Sequence, residues 1–250
     1  MEVHYLSECD STNAWAKQNY AQLAPLGAVY TQNQTGGRGR LGRRWENAPG
    51  QALYYTAVVT RPLAQPETLP QLMSLVAAQA LHQQFGVECQ IKWPNDLLLH
   101  GKKIAGILCE STVSPAAPEQ RIWVLGIGIN LCQPQNCFDA QGLPHAGSLA
   151  AAGVSVDVKQ DVPELAVRLT ALLSDKLEAF AHAGFAPLRP DYCRACVNLG
   201  RTVSWEKEGK TASGVCTDVD ETGRLVVRTD AETTEIFTGE VSVQGIYGTL

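Results

Sequence analysis

Between Gly36 and Trp45 the chain reads GGRGRLGRRW, four arginines and four glycines within ten residues of a protein whose formal net charge is −5. Glycine lets a backbone come close to a ligand and adopt dihedrals closed to other residues. Arginine supplies a planar fork of donors that grips a carboxylate or phosphate through paired hydrogen bonds. Trp45 adds a flat face for a base or another ring. Arg38, Gly39 and Arg40 sit at the centre of this stretch, which suits a loop closing over an anionic ligand; taken alone it also fits a solvated basic surface loop.

Three more stretches carry residue types of the same chemistry. KWPND, residues 92–96, places Lys92 for a phosphate and Asp96 for a hard ion such as Mg²⁺, which prefers oxygen ligands. Its Pro-Asn-Asp sequence is equally that of a plain turn. GKKIAGILCE, residues 101–110, opens a strand at Lys103 and has a glycine at Gly106, where a ligand can approach the backbone. GIGIN, residues 126–130, alternates glycine with isoleucine and ends in Asn130; by itself it also reads as a core strand with small residues for packing.

The common phosphate motifs do not account for the loop. Residues 37–42 match G-x-G-x-x-G, but RRWENAPGQA follows, with Pro49 and Gly50, where a dinucleotide site requires a helix. No acid lies between Ala57 and Ala64, about 20 residues on, where such a site holds the ribose. A kinase loop asks for valine where Arg44 stands, and a Walker loop asks for Gly-Lys-Ser/Thr, which is absent.

These residues must be positioned by a globular frame. The 250 residues are 45% hydrophobic and 18% charged, enough apolar material for one large domain or two unequal ones. No apolar run approaches the roughly 20 residues of a membrane span, and MEVHYLSECDSTN has neither a basic nor an apolar signal region. A cytoplasmic protein is expected, with its eight cysteines as reduced thiols. Cys193 and Cys196 form a lone CxxC in a helical segment, upstream of which lie Cys132, Cys137 and His145; inert thiols are expected there rather than a metal site. Positive charge concentrated locally, at 38–44 and again at Lys102 and Lys103, fits a small anion better than a nucleic-acid backbone.

Asp10 or Ser11 is expected to cap a helix from about Asn13. AVYTQNQ and ALYYTAVVTR read as strands. ETLPQLMSLVAAQALHQQFG and VPELAVRLTALLSDKLEAFAHAG read as long helices, each closed by glycine. CQIKW, DLLLH, KIAGILCES and RIWVLGIGIN are short strands, with a hairpin at His-Gly-Lys. From about Arg201 the pattern changes to short strands and turns, among them KEGK and DETGR, the signature of a small all-β unit. A boundary is placed near residue 198.

Taken together and in this order, DSTN at 10–13, TGGRGRLGRRW at 35–45, KWPND, GKKIAGIL and GIGIN resemble the biotin protein ligases (biotin–[acetyl-CoA-carboxylase] ligases). The resemblance covers about residues 1–197, and the β-rich tail is similar to that family's small C-terminal barrel. It implies an α+β fold: a catalytic domain of residues 1–197, with a mixed β-sheet and flanking helices like that of class II synthetases, followed by a β-barrel domain of residues 198–250. It also implies a form lacking the family's N-terminal DNA-binding domain, since the chain starts almost at DSTN. By matching position, Ser11, Thr12, Asn13 and Gln34 would contact biotin, with Gly106 beside them. Arg38, Gly39 and Arg40 would belong to the loop ordering over biotin and the adenylate. Lys103 would meet the biotin carboxylate, Trp45 would shape the adenine pocket, and Lys92, Asp96 and Asn130 would serve ATP phosphates, Mg²⁺ and adenylate. TGEVSV at 238–243 resembles a family segment near the nucleotide; Gln244, where some members have arginine, receives no role.

The activity so implied is ATP-dependent attachment of biotin to one lysine of a biotin carboxyl carrier protein, through biotinyl-5′-AMP, with Arg40, Lys92 and Lys103 as catalytic residues. ATP and biotin would be substrates, with Mg²⁺ assisting. No DNA or membrane partner is expected, and the chain would be a monomer or homodimer. The nearest rival is a lipoate or octanoate ligase or transferase of related fold, against which the glycine-arginine loop and KWPND speak. A module that merely sequesters a nucleotide or nucleic acid is the rival from another class.

Overall fold

A computed structural model describes residues 2–46, 48–207, 209–237 and 239–246, so that Thr238 of TGEVSV and Glu208 of the KEGK turn lie outside the described residues. The large sheet contains β1 (Val3–Leu6), β2 (Leu26–Thr31), β3 (Ala52–Val59), β4 (Gln90–Lys92), β5 (Asp96–Leu99), β6 (Lys102–Ser114) and β7 (Ala117–Asn130). Their order is β1-β2-β3-β7-β6-β5-β4. β1 pairs with β2 in parallel, and every other pairing is antiparallel, giving the mixed sheet that was expected.

Helix α1 (Thr12–Leu23) covers one face, and α2 (Leu69–Phe85) and α4 (Val158–Ala183) cover the other; the short α3 (Gln135–Ala140) and α5 (Arg189–Ala195) pack at the ends. Ser11 caps α1, its side chain accepting from the amide of Ala14. Gly86 closes α2 in the left-handed conformation, as its sequence position implied. α4 begins at Val158, four residues before VPELAV. Asp157 caps the first turn, its side chain accepting from the Lys159 amide, and Pro163 lies inside the helix in its second turn, where it takes the place of one i→i−4 donor.

β3 is buried along its whole length because both faces are covered. Leu53, Tyr55, Ala57 and Val59 join the main core with α2 and α4, and Val58 joins Ala16, Leu23, Val29, Ile122 and Val124 under α1. The β5–β6 hairpin turns at His100 and Gly101, both at positive φ, 49° and 75°. That pair matches the backbone twist a two-residue hairpin loop requires.

The β-rich tail is a five-stranded antiparallel sheet: β8 (Thr202–Lys207), β9 (Lys210–Val219), β10 (Leu225–Arg228), β11 (Thr233–Ile236) and β12 (Val241–Val243), in the order β11-β10-β9-β8-β12. It docks through polar anchors. The indole of Trp93 donates to the Gly223 carbonyl at 2.9 Å, and Arg189 grips both oxygens of Asp218 at 2.6 Å each. No helix of the described residues is long and apolar enough to cross a membrane.

Candidate active site

The register of the sheet aligns three of the expected site residues, Lys92, Asp96 and Gly106, in one row. That row of paired positions runs Lys92 (β4), Asp96 (β5), Gly106 (β6), Gly128 (β7), Tyr54 (β3) and Thr31 (β2). The next runs Leu108, Gly126, Thr56 and Val29. Because side chains alternate along a strand, both rows face the side carrying α1. A cavity of about 720 Å³ opens over them, and all thirteen expected site residues line it.

Lys103 reaches the same face through a β-bulge. The β5–β6 register shifts between Leu97, paired with Ala105, and Leu98, paired with Lys103. Ile104 is the extra residue and is buried in the core beside Ala105. Regular alternation would have pointed Lys103 into the core; the bulge re-aims it, as bulges near functional sites do. Its ammonium then lies 2.6 Å from Asp96 Oδ1.

One end of the cavity is neutral and closely hydrogen-bonded. Gln34 Oε1 accepts from the Thr12 amide at 2.9 Å and from its hydroxyl at 3.2 Å. Asn13 donates to the Leu108 carbonyl at 3.1 Å and to Glu110 at 2.8 Å. Thr56 Oγ1 lies 2.7 Å from Asn13 Oδ1 and 2.8 Å from Thr12 Oγ1. Ser11 is buried beside them, although its hydroxyl caps α1.

The other end is cationic. Among the described residues, Lys92 and Asp96 are the charged side chains that are buried. Burial lowers the Lys92 ammonium from its ordinary value, opposed by Asp96 and reinforced by Lys103 and Arg40. Burial lowers Arg40 as well, with Asp96 and Glu240 opposing. Arg40 donates to Asn95 Oδ1 at 2.9 Å and to the Gly239 carbonyl at 3.2 Å, tying the glycine-arginine loop to both KWPND and the C-terminal sheet. Arg43 meets Glu240 at 2.6 Å. Asn130 donates to the Gly147 carbonyl at 2.9 Å and accepts from Gln133 at 3.2 Å, fastening the 145–148 segment beside Lys103.

The loop itself is a folded turn. Arg38 and Arg44 form a bridge, Gly39 donates to the Arg43 carbonyl at 2.7 Å, and Trp45 donates to the Gly37 carbonyl at 3.0 Å. This returns Trp45 across the sheet. Its indole lies on Gly106 and Gly128, where an added Cβ would come within 2.6 Å and 2.9 Å of the ring. Lys103 Nζ is 5.5 Å from the centre of that ring. Glycine is required at both positions because only a bare backbone admits the ring. Gly126 is required likewise, since a Cβ there would collide with Asn13 Oδ1.

Gly126, Gly128, Thr56, Asn95 and Glu110 were not among the expected site residues. The two glycines had a visible signal, their alternation in GIGIN, which was also consistent with packing. Thr56 and Glu110 had none, since a single polar residue within an apolar strand does not announce its partners. At the CxxC the thiols are held protonated: burial pushes Cys196 up to about 12 and raises Cys193.

A cavity joining a neutral hydrogen-bonding end to a cluster of cations, roofed by a glycine-arginine loop, suits an acid activated by a nucleotide. The profile of the Biotin/lipoate A/B protein ligase family matches residues 5–130. That of the Biotin protein ligase C terminal domain matches residues 199–243. The chain belongs to the biotin/lipoate A/B protein ligase family. Within it, the relatives it resembles over nearly its whole length are biotin protein ligases, and it is an enzyme of that kind. The biotin–[acetyl-CoA-carboxylase] ligase of Paracoccus denitrificans is 32% identical over 248 residues, 96% of this chain and 100% of that protein. The bifunctional ligase/repressor BirA of Escherichia coli is 28% identical over 246 residues, 97% of this chain and 74% of that protein. Among solved structures, the biotin protein ligase from Aquifex aeolicus in complex with biotin and ATP superimposes with a TM-score of 0.78 at 26% identity, covering 97% of this chain and 98% of that one.

Proposed function

We propose that this chain activates biotin with ATP as biotinyl-5′-AMP and transfers the biotinyl group to a specific lysine of a biotin carboxyl carrier protein. The observation that carries the reading is the single cavity that joins a neutral polar end to Arg40, Lys92 and Lys103. The neutral end, with Ser11, Thr12, Asn13 and Gln34, takes the ring of biotin, which leaves its carboxylate among the cations.

A carboxylate is a poor acylating agent, so its oxygen must first become part of a leaving group. In the first step a biotin carboxylate oxygen attacks the α-phosphorus of ATP and pyrophosphate departs. Both reactants are anions, and Lys103 and Arg40 offset their repulsion at the carboxylate while Lys92 does so at the phosphates. Fixed charges in a site that excludes water supply this without reorganisation. In the second step the carrier's lysine, as the free amine, attacks the activated carbonyl; AMP leaves with the electron pair of the broken C–O bond, and the amine loses a proton.

Arg38, Gly39 and Arg40 close over the adenylate, and Trp45 provides a ring beside the adenine. The mixed anhydride hydrolyses in water, so the turn over it also protects the intermediate. Asp96 suits Mg²⁺, an ion that takes one or two carboxylates and completes its shell with phosphates and water; bound there, it would add positive charge at the phosphates. Asn130 supports the same end through Gly147. Residues 1–197 form the catalytic domain and residues 198–250 the C-terminal domain of this reading; the acceptor is the carrier protein rather than DNA.

Biotin-dependent exchange of labelled pyrophosphate into ATP tests the proposal, with lipoate and octanoate in parallel. Exchange with biotin alone is expected. Exchange only with lipoate or octanoate would overturn the choice of acid, and ATP binding without exchange would overturn the adenylation.

A further inference from the structure

Behind the neutral end of the cavity lies a group that the reaction scheme does not use. Glu110, on β6, is half-buried and held between Lys17 and Asn13 of α1. Its Oε1 lies 2.6 Å from Lys17 Nζ, and its Oε2 accepts from Asn13 Nδ2 at 2.8 Å. Burial alone would raise its carboxyl, but hydrogen bonds from Lys17 and Asn13, and the charges of Lys17 and Arg38, outweigh this and hold it below its ordinary value.

The consequence is a fixed polarity. An ionised carboxylate accepts hydrogen bonds and donates none, and so does the Leu108 carbonyl. Both face the same Asn13 nitrogen, which commits both of its protons to them. The Asn13 oxygen must therefore point the other way, toward Thr56 and the bare backbone of Gly126. Thr56 in turn donates to that oxygen. Asn13 lines the cavity, and Thr56 takes one of the two lone pairs of its oxygen, so that the other remains able to accept.

We infer that Glu110 is a positioning residue that fixes the Asn13 carboxamide with its oxygen toward the ligand, so that this end of the cavity selects acids whose far end bears an N–H donor. The inference rests on the proposed biotin reading, since the ureido ring of biotin carries such donors and the tails of lipoate and octanoate do not.

Replacing Glu110 by glutamine sets up a conflict that geometry resolves in one way. The carboxamide offers one oxygen and one NH₂ where the carboxylate offered two oxygens. Lys17, as a cation, claims the oxygen, and the NH₂ is left facing the NH₂ of Asn13. Leaving a buried polar group opposite the wrong partner is worth roughly 10- to 100-fold in an equilibrium constant.

The test is steady-state pyrophosphate exchange on the full chain. Glu110→Gln is expected to raise the KM for biotin about 10- to 100-fold, with the KM for ATP and kcat little changed. The double variant Lys17→Met, Glu110→Gln frees the new carboxamide to turn its oxygen to Asn13 and is expected to recover most of the lost affinity. A structural defect would not be repaired by removing a second polar group. Parent-like KM for biotin in Glu110→Gln, or no recovery in the double variant, would overturn the inference. Absence of biotin-dependent exchange in the parent protein would instead overturn the reading on which it rests. If Glu110→Gln does not fold, Lys17→Met alone gives the answer: it should retain the parent KM for biotin at neutral pH, because Glu110 still accepts from Asn13. A biotin KM raised as far as that predicted for Glu110→Gln would overturn the inference.

Discussion

The two ends of the cavity are built on opposite principles. At the neutral end the side chains of Thr12, Asn13, Gln34 and Thr56 are bonded mainly to one another, all within α1, β2's exit and β3. At the cationic end Arg40, Lys92, Lys103 and Asp96 come from the glycine-arginine loop, a three-residue strand, a bulge and a hairpin, with the C-terminal sheet holding the loop at Gly239. At the neutral end each of those side chains already has a protein partner before any ligand arrives. Like charges are instead gathered at the cationic end, where, among the described residues, Asp96 is the buried carboxylate that opposes their repulsion, joined by the more exposed Glu240. Recognition can thus be prepared in the fold at little cost, whereas charge stabilisation is held at the expense of stability until an anion enters.

The sharpest way to break this contrast is to remove a cation. Lys103→Ala and Arg40→Ala are each expected to lower the adenylation rate by about 10²- to 10³-fold, measured as pyrophosphate exchange at saturating biotin, while Arg201→Ala, on the exposed start of the C-terminal sheet, leaves it unchanged. Parent-like rates in Lys103→Ala would remove the cationic end from the chemistry. Arg40→Gly should also release adenylate into solution; an intermediate that stays bound would argue against the loop as its cover.

A methyl group tests the neutral end. Gly126→Ala drives a Cβ into Asn13 Oδ1, and Gly128→Ala drives one to 2.9 Å from the Trp45 indole. Overpacking of this kind displaces side chains at a cost that corresponds to about 10- to 100-fold in affinity. Gly126→Ala should raise the KM for biotin and Gly128→Ala the KM for ATP. Equal effects on both substrates in both variants would mean that the two ends are not separate.

How much of this was legible in the sequence follows the same division. Helix ends marked by Ser11 and Gly86 and the His-Gly hairpin were readable, because capping and turn chemistry are local. The motif residues were also readable, as a set. What the sequence did not disclose is register. Nothing in KKIAGIL announces that Ile104 bulges and so brings Lys103 round to Asp96. Nothing in Leu53–Ala57 announces that Thr56 meets Asn13. The start of α4 at Val158 lies four residues before the apolar stretch, because the cap at Asp157 stands outside the apolar pattern. Trp93, inside the most suggestive motif, turned out to anchor the C-terminal sheet through Gly223.

A smaller effect distinguishes the ends by stability. Because burial lowers Lys92, the folded protein releases that proton at a lower pH than the unfolded chain does. Between the lowered value and the ordinary lysine value the unfolded chain binds more protons, so stability rises with pH across that window. Lys92→Met should flatten the rise and, at neutral pH, raise the melting temperature by about 2–4 °C, the equivalent of about 1 kcal/mol in a protein of this size, while exchange activity falls. A lower melting temperature in that variant would mean that the cationic end stabilises the fold, and the contrast drawn above would fail.

The smallest effect lies at the rim. Arg43 and Glu240 are 2.6 Å apart, but their side chains are 67% and 49% exposed. Pairs so exposed contribute about 0.2–1 kcal/mol and are screened by salt. Arg40 makes the other tie between loop and C-terminal sheet from a less exposed position, through the Gly239 carbonyl. A double-mutant cycle of Arg43→Ala and Glu240→Ala, read by thermal unfolding at low and high ionic strength, should therefore give a coupling below about 1 kcal/mol that fades with salt. The same cycle read by adenylate leakage should show almost none, because the turn is also held by its own bonds between Gly39 and Arg43 and between Gly37 and Trp45. A large coupling in leakage would shift the closing of the loop from its internal bonds to the C-terminal sheet, and would make that sheet a working part of the cationic end.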